Sequence, residues 1–199
     1  LSESMVKCIL MDHKGGIWIG THLGLNGFDG ERVKNYYHDK KDVGSIPDND
    51  ICFLIEDSIQ NLWVGTTRGL ALYNWEKDNF IPVVFEGTQL NVSSYVLIED
   101  GILFFGHNEF FKYSYAGKKI SSLPVYLKED IQISFEKASL YELEDNIVLL
   151  ASRWSGLWEY NIQTGDLRPS SLTKNYQISA LLVDSSGRVW LSPYGKGLI

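Results

Sequence analysis

One short phrase recurs along the chain and constrains what it can fold into. Its clearest copies read Asp12-His-Lys-Gly-Gly-Ile-Trp-Ile-Gly-Thr21, Asp57-Ser-Ile-Gln-Asn-Leu-Trp-Val-Gly-Thr66 and Asp184-Ser-Ser-Gly-Arg-Val-Trp-Leu-Ser-Pro193. A Gly-Leu pair follows each, at Gly24-Leu25, Gly69-Leu70 and Gly197-Leu198. Two worn copies lie between them, from Asp100 to Gly106 and from Asp145 to Ser152. Aligning Trp18, Trp63, Phe104, Leu149 and Trp190 gives successive steps of 45, 41, 45 and 41 residues. A period of roughly 40 to 45 residues built of short strands is the signature of β-propeller blades.

The second repeat shows how the pattern makes a blade. Asp50–Glu56 reads as an apolar strand, and Asp57–Asn61 as a polar hairpin turn. Leu62–Thr66 is a second strand, Thr67-Arg68-Gly69 a turn and Leu70–Asn74 a third strand; after a polar turn over Trp75–Asn79, Phe80–Phe85 is the fourth. The first strands, Val6–Met11, Ile51–Ile55 and Ile178–Val183, do not alternate between apolar and polar, so they call for cover on both faces. Neighbouring blades supply that cover, and Trp18, Trp63 and Trp190 read as inter-blade core. The Gly-Leu pairs read as a turn plus a core plug. The predicted fold is therefore all-β, a partial propeller of four to five four-stranded blades over residues 1–199, with repeats at 5–48, 49–93, 94–137, 138–175 and, incomplete, 176–199. Both ends fall within the pattern, which predicts a fragment of a larger propeller of about seven blades. An open arc would expose the apolar flank of each terminal blade. The stretch 126–139 is the least regular, with Tyr126–Ile131 open between a short helix and an extended connection.

Composition narrows the function classes. The 199 residues are 44% hydrophobic and 22% charged, ample for a packed core, and the formal net charge is −7. No stripe of Lys and Arg forms the footprint of a nucleic-acid binder, an acidic domain repels anionic lipid, and no apolar run is long enough to span a bilayer. Cys8 and Cys52 fall on equivalent strands with opposite side-chain parity, which argues against a bridge and predicts two buried thiols. His13, His22, His38 and His107 lack metal-site spacing, and Asp48-Asn49-Asp50 lacks the rest of an EF-hand loop, so no metal or cofactor is expected. No nucleophile elbow or phosphate loop appears.

The ordered string Ser45-Ile-Pro-Asp-Asn49-Asp-Ile51, Asp57, Leu62-Trp-Val-Gly-Thr66, Gly69-Leu70 and Tyr73 resembles the two-component regulator propeller repeat. Tyr37–Asp42 resembles that family's inter-blade connection. The likeness covers residues 1–85 and 176–199 well and the middle poorly. It implies a periplasmic sensor module of a hybrid two-component protein of the kind common in Bacteroidetes. Many such modules respond to oligosaccharides and relay to a histidine kinase and a DNA-binding regulator, neither of which lies in this sequence.

In a propeller the turns joining second to third strands open on one face. Here they hold His22-Leu23, Thr67-Arg68, His107-Asn108-Glu109, Arg153-Trp154-Ser155 and Tyr194-Gly195-Lys196. The slot repeats while its residues vary, as expected of binding residues on a rigid frame. Trp154 and Tyr194 can stack on sugar C–H faces, while Arg68, Arg153 and Lys196 can bind hydroxyls or carboxylates. With His107 these form the predicted ligand set, and no catalytic residue is assigned. The alternatives are a propeller lyase or glycosidase, and a purely structural or dimerising blade set. The partners expected are an oligosaccharide, other domains of the parent chain or a second copy. A glycosidase needs two flanking carboxylates, and Glu109 is the only carboxylate in the slot.

Overall fold

The computed structural model describes residues 1–127, 135, 138–144, 146–172, 177–184 and 186–199. Among them no helix occurs, so none is long and apolar enough to cross a membrane. The chain forms two compact units, residues 1–93 and 94–199.

The first unit holds two four-stranded antiparallel sheets. Sheet one is β1 (Val6–Met11), β2 (Ile17–Thr21), β3 (Gly24–Phe28) and β4 (Val33–Tyr36); sheet two is β5 (Ile51–Glu56), β6 (Leu62–Thr66), β7 (Gly69–Asn74) and β8 (Asn79–Pro82). A small hairpin of β9 (Val84–Phe85) and β10 (Thr88–Gln89) follows, so the apolar run 80–85 is divided between two elements rather than forming one strand.

The second unit begins with β11 (Ser94–Ile98), β12 (Gly101–Gly106), β13 (Glu109–Ser114) and β14 (Lys119–Leu123), which form sheet three. Strand β15 (Tyr126–Leu127) joins sheet four by parallel pairing to its outer edge; residues 128–134, 136 and 137 of the irregular stretch 126–139 lie outside the described residues. The other strands of sheet four are β16 (Ser139–Glu144), β17 (Ile147–Ser152), β18 (Gly156–Asn161) and β19 (Asp166–Pro169); β20 (Ile178–Val183) and β21 (Val189–Pro193) form a closing two-stranded sheet.

Trp18, Trp63, Leu149 and Trp190 occupy one register position, three residues before the end of their strand, whereas Phe104 lies two before the end of β12, on the opposite face, and Leu103 holds the tryptophan's position there. Leu10 faces Trp18, Ile55 faces Trp63, Tyr95 faces Phe104, Tyr141 faces Leu149, and Leu182 faces Trp190. Sheets one to four each contain the same four-stranded meander, and the fold is the all-β propeller-blade arrangement that the repeat predicts.

In the clear copies the phrase works through side-chain hydrogen bonds. Asp57 Oδ1 accepts from the backbone N–H of Ile59 and Asn61, and its Oδ2 accepts from Trp63 Nε1 at 2.9 Å. Asp12 does the same for Lys14, Gly16 and Trp18, and Asp184 for Ser186, Arg188 and Trp190. The Asp thus closes the hairpin turn and fixes the indole, which lets a polar N–H enter the core with a partner. At the other end of the hairpin, Thr66 Oγ1 donates to the Gly69 carbonyl, as Thr21 Oγ1 does to Gly24. Gly65 faces Phe53 across the ladder, and a Cβ there would meet the Phe53 ring at 2.3 Å, so the phrase needs glycine at this position.

Burial departs from the uniform cover expected of the repeats. Trp63 is fully buried and Trp18 nearly so, but Trp190 is 37% exposed. Leu25 and Leu70 are core plugs; Leu198 is exposed. Strand β5 is buried, with Leu54 only 5% exposed, whereas its equivalent in β1, Ile9, is 65% exposed. In β20 Leu182 is likewise open. The apolar first strand is a property of the repeat, while its cover comes from an adjacent sheet. In the first unit β5 has β1 and β2 beside it, while Ile9 and Met11 of β1 are open to solvent among the described residues.

Cys8 and Cys52 are free and half-buried rather than sealed in the core. Burial pushes the Cys8 thiol up to about 11 and raises that of Cys52. Both are therefore protonated, poor nucleophiles at neutral pH.

Candidate functional site

Antiparallel meanders place the β2–β3 type of turn at one end of each sheet and the β1–β2 and β3–β4 types at the other. The predicted ligand residues all belong to the first type, and the structure divides them. In the first unit Arg68 extends into solvent and pairs with Asp48 at 3.0 Å. In the second unit His107 and Asn108 both have positive φ, 53° and 63°, and form the two-residue turn of the β12–β13 hairpin. Glu109 lies in the strand that follows.

Arg153, Trp154 and Tyr194 come together. Arg153 Cζ lies 5.3 Å from the Trp154 ring and 4.8 Å from the Tyr194 ring. Both rings are open to solvent, Trp154 at 61% and Tyr194 at 62%. The β17–β18 turn carrying Arg153 and Trp154 is pinned twice: Ser155 N–H donates to Ser152 Oγ, and Trp158 Nε1 donates to the Ser155 carbonyl at 2.7 Å. The turn carrying Tyr194 is held by its N–H on the Gln177 carbonyl and by Lys196 N–H on the Pro193 carbonyl. Gly195 takes φ +72° there, which allows the tight reversal. Lys196 therefore sits two residues beyond Tyr194 on the same short turn.

Beneath this cluster is a cavity of about 290 Å³ between the ends of β16, β17 and β20. Arg153 and Tyr194 line it with Ser139, Ser179, Ile178 and Leu181 among others. Ser179 Oγ donates to the Ser192 carbonyl at 2.6 Å. Among the described residues Arg153 forms no ion pair, so its guanidinium donors face a site with two aromatic walls and two serines. Such a cation, held by π contacts of about 0.5–1 kcal/mol each at an exposed site, is oriented before a ligand arrives. The cluster can stack an apolar ring face and hydrogen-bond hydroxyl or carboxylate oxygens. Ser139 and Ser179 were absent from the predicted set because they lie at strand ends rather than in the repeated turn slot. The described residues contain no group of His, Cys, Asp and Glu able to hold a metal ion.

Comparison with known proteins agrees with this fold. The family model described as two-component regulator propeller matches residues 1–22. No curated protein matches the chain. A solved structure described as the extracellular domain of the hybrid two-component system BT3049 from B. thetaiotaomicron is similar over 100% of this chain and 28% of its own, with 24% identity and a TM-score of 0.76. The corresponding domain of BT4673 from the same organism is similar over 98% of this chain and 26% of its own, with 23% identity and a TM-score of 0.70. The chain therefore spans about a quarter of the length of these structures. A catalytically inactive virginiamycin B lyase from Staphylococcus aureus, solved with quinupristin, is similar over 97% of this chain and 66% of its own, at 12% identity and a TM-score of 0.67. At these identities the likeness establishes a shared propeller fold.

Proposed function

We propose that the chain is a non-catalytic, extracytoplasmic sensing module of a hybrid two-component protein. In this reading it is periplasmic, binds an oligosaccharide at Arg153, Trp154 and Tyr194, and relays occupancy to a kinase and DNA-binding regulator encoded outside these residues. The match of the two-component regulator propeller model and the likeness to extracellular domains of hybrid two-component systems support the context. The observation that carries the site is the Arg153 guanidinium held between two solvent-open aromatic rings above a cavity. Aromatic faces complement the C–H face of a pyranose, and the guanidinium complements a uronate carboxylate or vicinal hydroxyls. Ligand binding acts on a sensor by favouring one of its conformations.

The test is calorimetric titration of the protein with neutral and uronate-containing oligosaccharides, followed by chromatography of each mixture after prolonged incubation. Saturable binding with intact sugar recovered supports the reading. Failure of every oligosaccharide to bind refutes the ligand class. The likeness to a lyase keeps an enzymatic reading in view. Among the described residues no carboxylate lines the cavity to serve as the acid and base of a glycosidase. Appearance of shortened products would establish the enzyme instead.

A further inference from the structure

The sequence directs attention to the β2–β3 type of turn, yet a larger cleft lies at the opposite end of the sheets in the first unit. It has a volume of about 520 Å³ and opens between sheets one and two, near the β1–β2 and β3–β4 turns. Trp18, Tyr36, Tyr73 and Trp75 form its walls, with Lys14 and Arg32 also lining it. The size falls within the range of small-molecule sites.

The walls are rigid because their polar edges are already engaged. Trp18 Nε1 donates to Asp12 Oδ2 at 2.7 Å, and Trp75 Nε1 donates to the Gln60 carbonyl at 3.3 Å. The Tyr36 and Tyr73 hydroxyls both donate to Asp78 Oδ1, at 2.6 and 2.7 Å, and Lys34 pairs with the other oxygen of that carboxylate. The rings meet one another at centroid distances of 4.7 Å for Trp18–Tyr73 and 4.9 Å for Tyr73–Trp75. What remains to meet a ligand is ring surface.

The charged groups at the cleft are not equivalent. Asp12 and Asp29 are each occupied by two local backbone N–H groups. Lys14 Nζ lies 4.1 Å from the centre of the Trp75 ring. Among the described residues neither Lys14 nor Arg32 forms an ion pair. The cleft thus offers fixed aromatic surface and two exposed cations, of which Arg32 also lies close enough to Asp29 to favour its charged form.

We propose that this cleft is a second ligand site, independent of the Arg153 cluster, that takes a ring-shaped organic anion. The ring packs on Trp75 and the tyrosine pair, and the negative group meets Lys14 and Arg32. An acidic sugar and an aromatic carboxylate share this chemistry, and the experiment separates them. The 199-residue protein is titrated with a glucuronate-containing disaccharide, with phenylacetate and with the neutral disaccharide cellobiose, following tryptophan fluorescence and heat. At least one anionic probe binds and cellobiose binds at least tenfold more weakly; which anion binds identifies the source.

Lys14→Gln with Arg32→Gln weakens the anion at least tenfold without moving the melting temperature, since both side chains are exposed. Trp75→Ala weakens it similarly, while Arg153→Ala with Trp154→Ala leaves it unchanged. The proposal is overturned if neither anion binds, if cellobiose binds as tightly, if the double glutamine variant binds normally, or if the Arg153 and Trp154 substitutions abolish the signal.

Discussion

The second and third sheets solve the same packing problem with different chemistry. In sheet two Trp63 is fully buried and Asp57 accepts its indole N–H, two turn amides and the Asn61 side chain. In sheet three Leu103 stands at the same register position, three residues before the end of its strand, equally buried, and has no polar edge to satisfy. Its neighbouring Asp100 turns outward to pair with Lys112 at 2.7 Å. The inner strand of sheet two also bulges between Ile51 and Phe53, as β1 does between Val6 and Cys8, whereas sheet three runs without a bulge. Asp and Trp therefore behave as one device. Where the indole is replaced, the carboxylate is released from the core and the strand rhythm survives on apolar burial alone.

The largest effect expected from this comparison is on Asp57. Asp57→Ala strands the Trp63 indole and two turn amides, and chemical denaturation should show a loss of about 3 kcal/mol. A loss below about 1 kcal/mol would separate the Asp from the Trp. Next, Trp63→Phe in the Asp57→Ala background should be less damaging than in the parent, with a coupling of about 1–2 kcal/mol in a double-mutant cycle.

Smaller and pH-dependent is the effect at Asp78. Partial burial opposes its ionisation, but hydrogen bonds from Lys34, Tyr36 and Tyr73 outweigh this and leave the carboxyl below its usual range. The folded value lies below the unfolded one, so the contribution is complete above an ordinary carboxylate value of about 4 and is lost as pH falls through the folded value. Melting temperatures measured from pH 6 down to pH 3 should fall less steeply in Asp78→Asn than in the parent. The smallest effect is Asp100→Ala. Removing an exposed pair with Lys112 should change stability by less than about 0.5 kcal/mol.

The strand rhythm was legible because Trp18, Trp63, Leu149 and Trp190 keep one register position; repeat alignment puts Phe104 one residue out of register because Ile102–Phe105 is apolar at every position and gives no sign of which residue faces which side. The role of Asp57 was not, since a turn aspartate reads the same whether it only shapes the backbone or also holds an indole six residues on. Trp190, Leu198 and Ile9 were expected to be covered, but local sequence cannot show which sheets lie alongside a strand. The turn slot containing Arg153, Trp154 and Tyr194 could be read from repeat alignment. Their mutual stacking could not, because it depends on how two turns some 40 residues apart meet. The aromatic cleft escaped notice for a related reason: Trp75 falls in a stretch that reads as a polar turn, and Tyr36 and Tyr73 meet each other and Asp78 from two different sheets.

This division assigns stability to the repeated Asp–Trp frame and recognition to the variable turns above it. The most direct test is a paired measurement on Trp154→Ala, taking thermal melting and calorimetric titration with an oligosaccharide that binds the parent protein. Trp154 is open to solvent and lies outside the core, so the melting temperature should stay within about 2 °C of the parent while affinity drops at least tenfold. Unchanged affinity, or a fall in melting temperature comparable to that of Asp57→Ala, would contradict it.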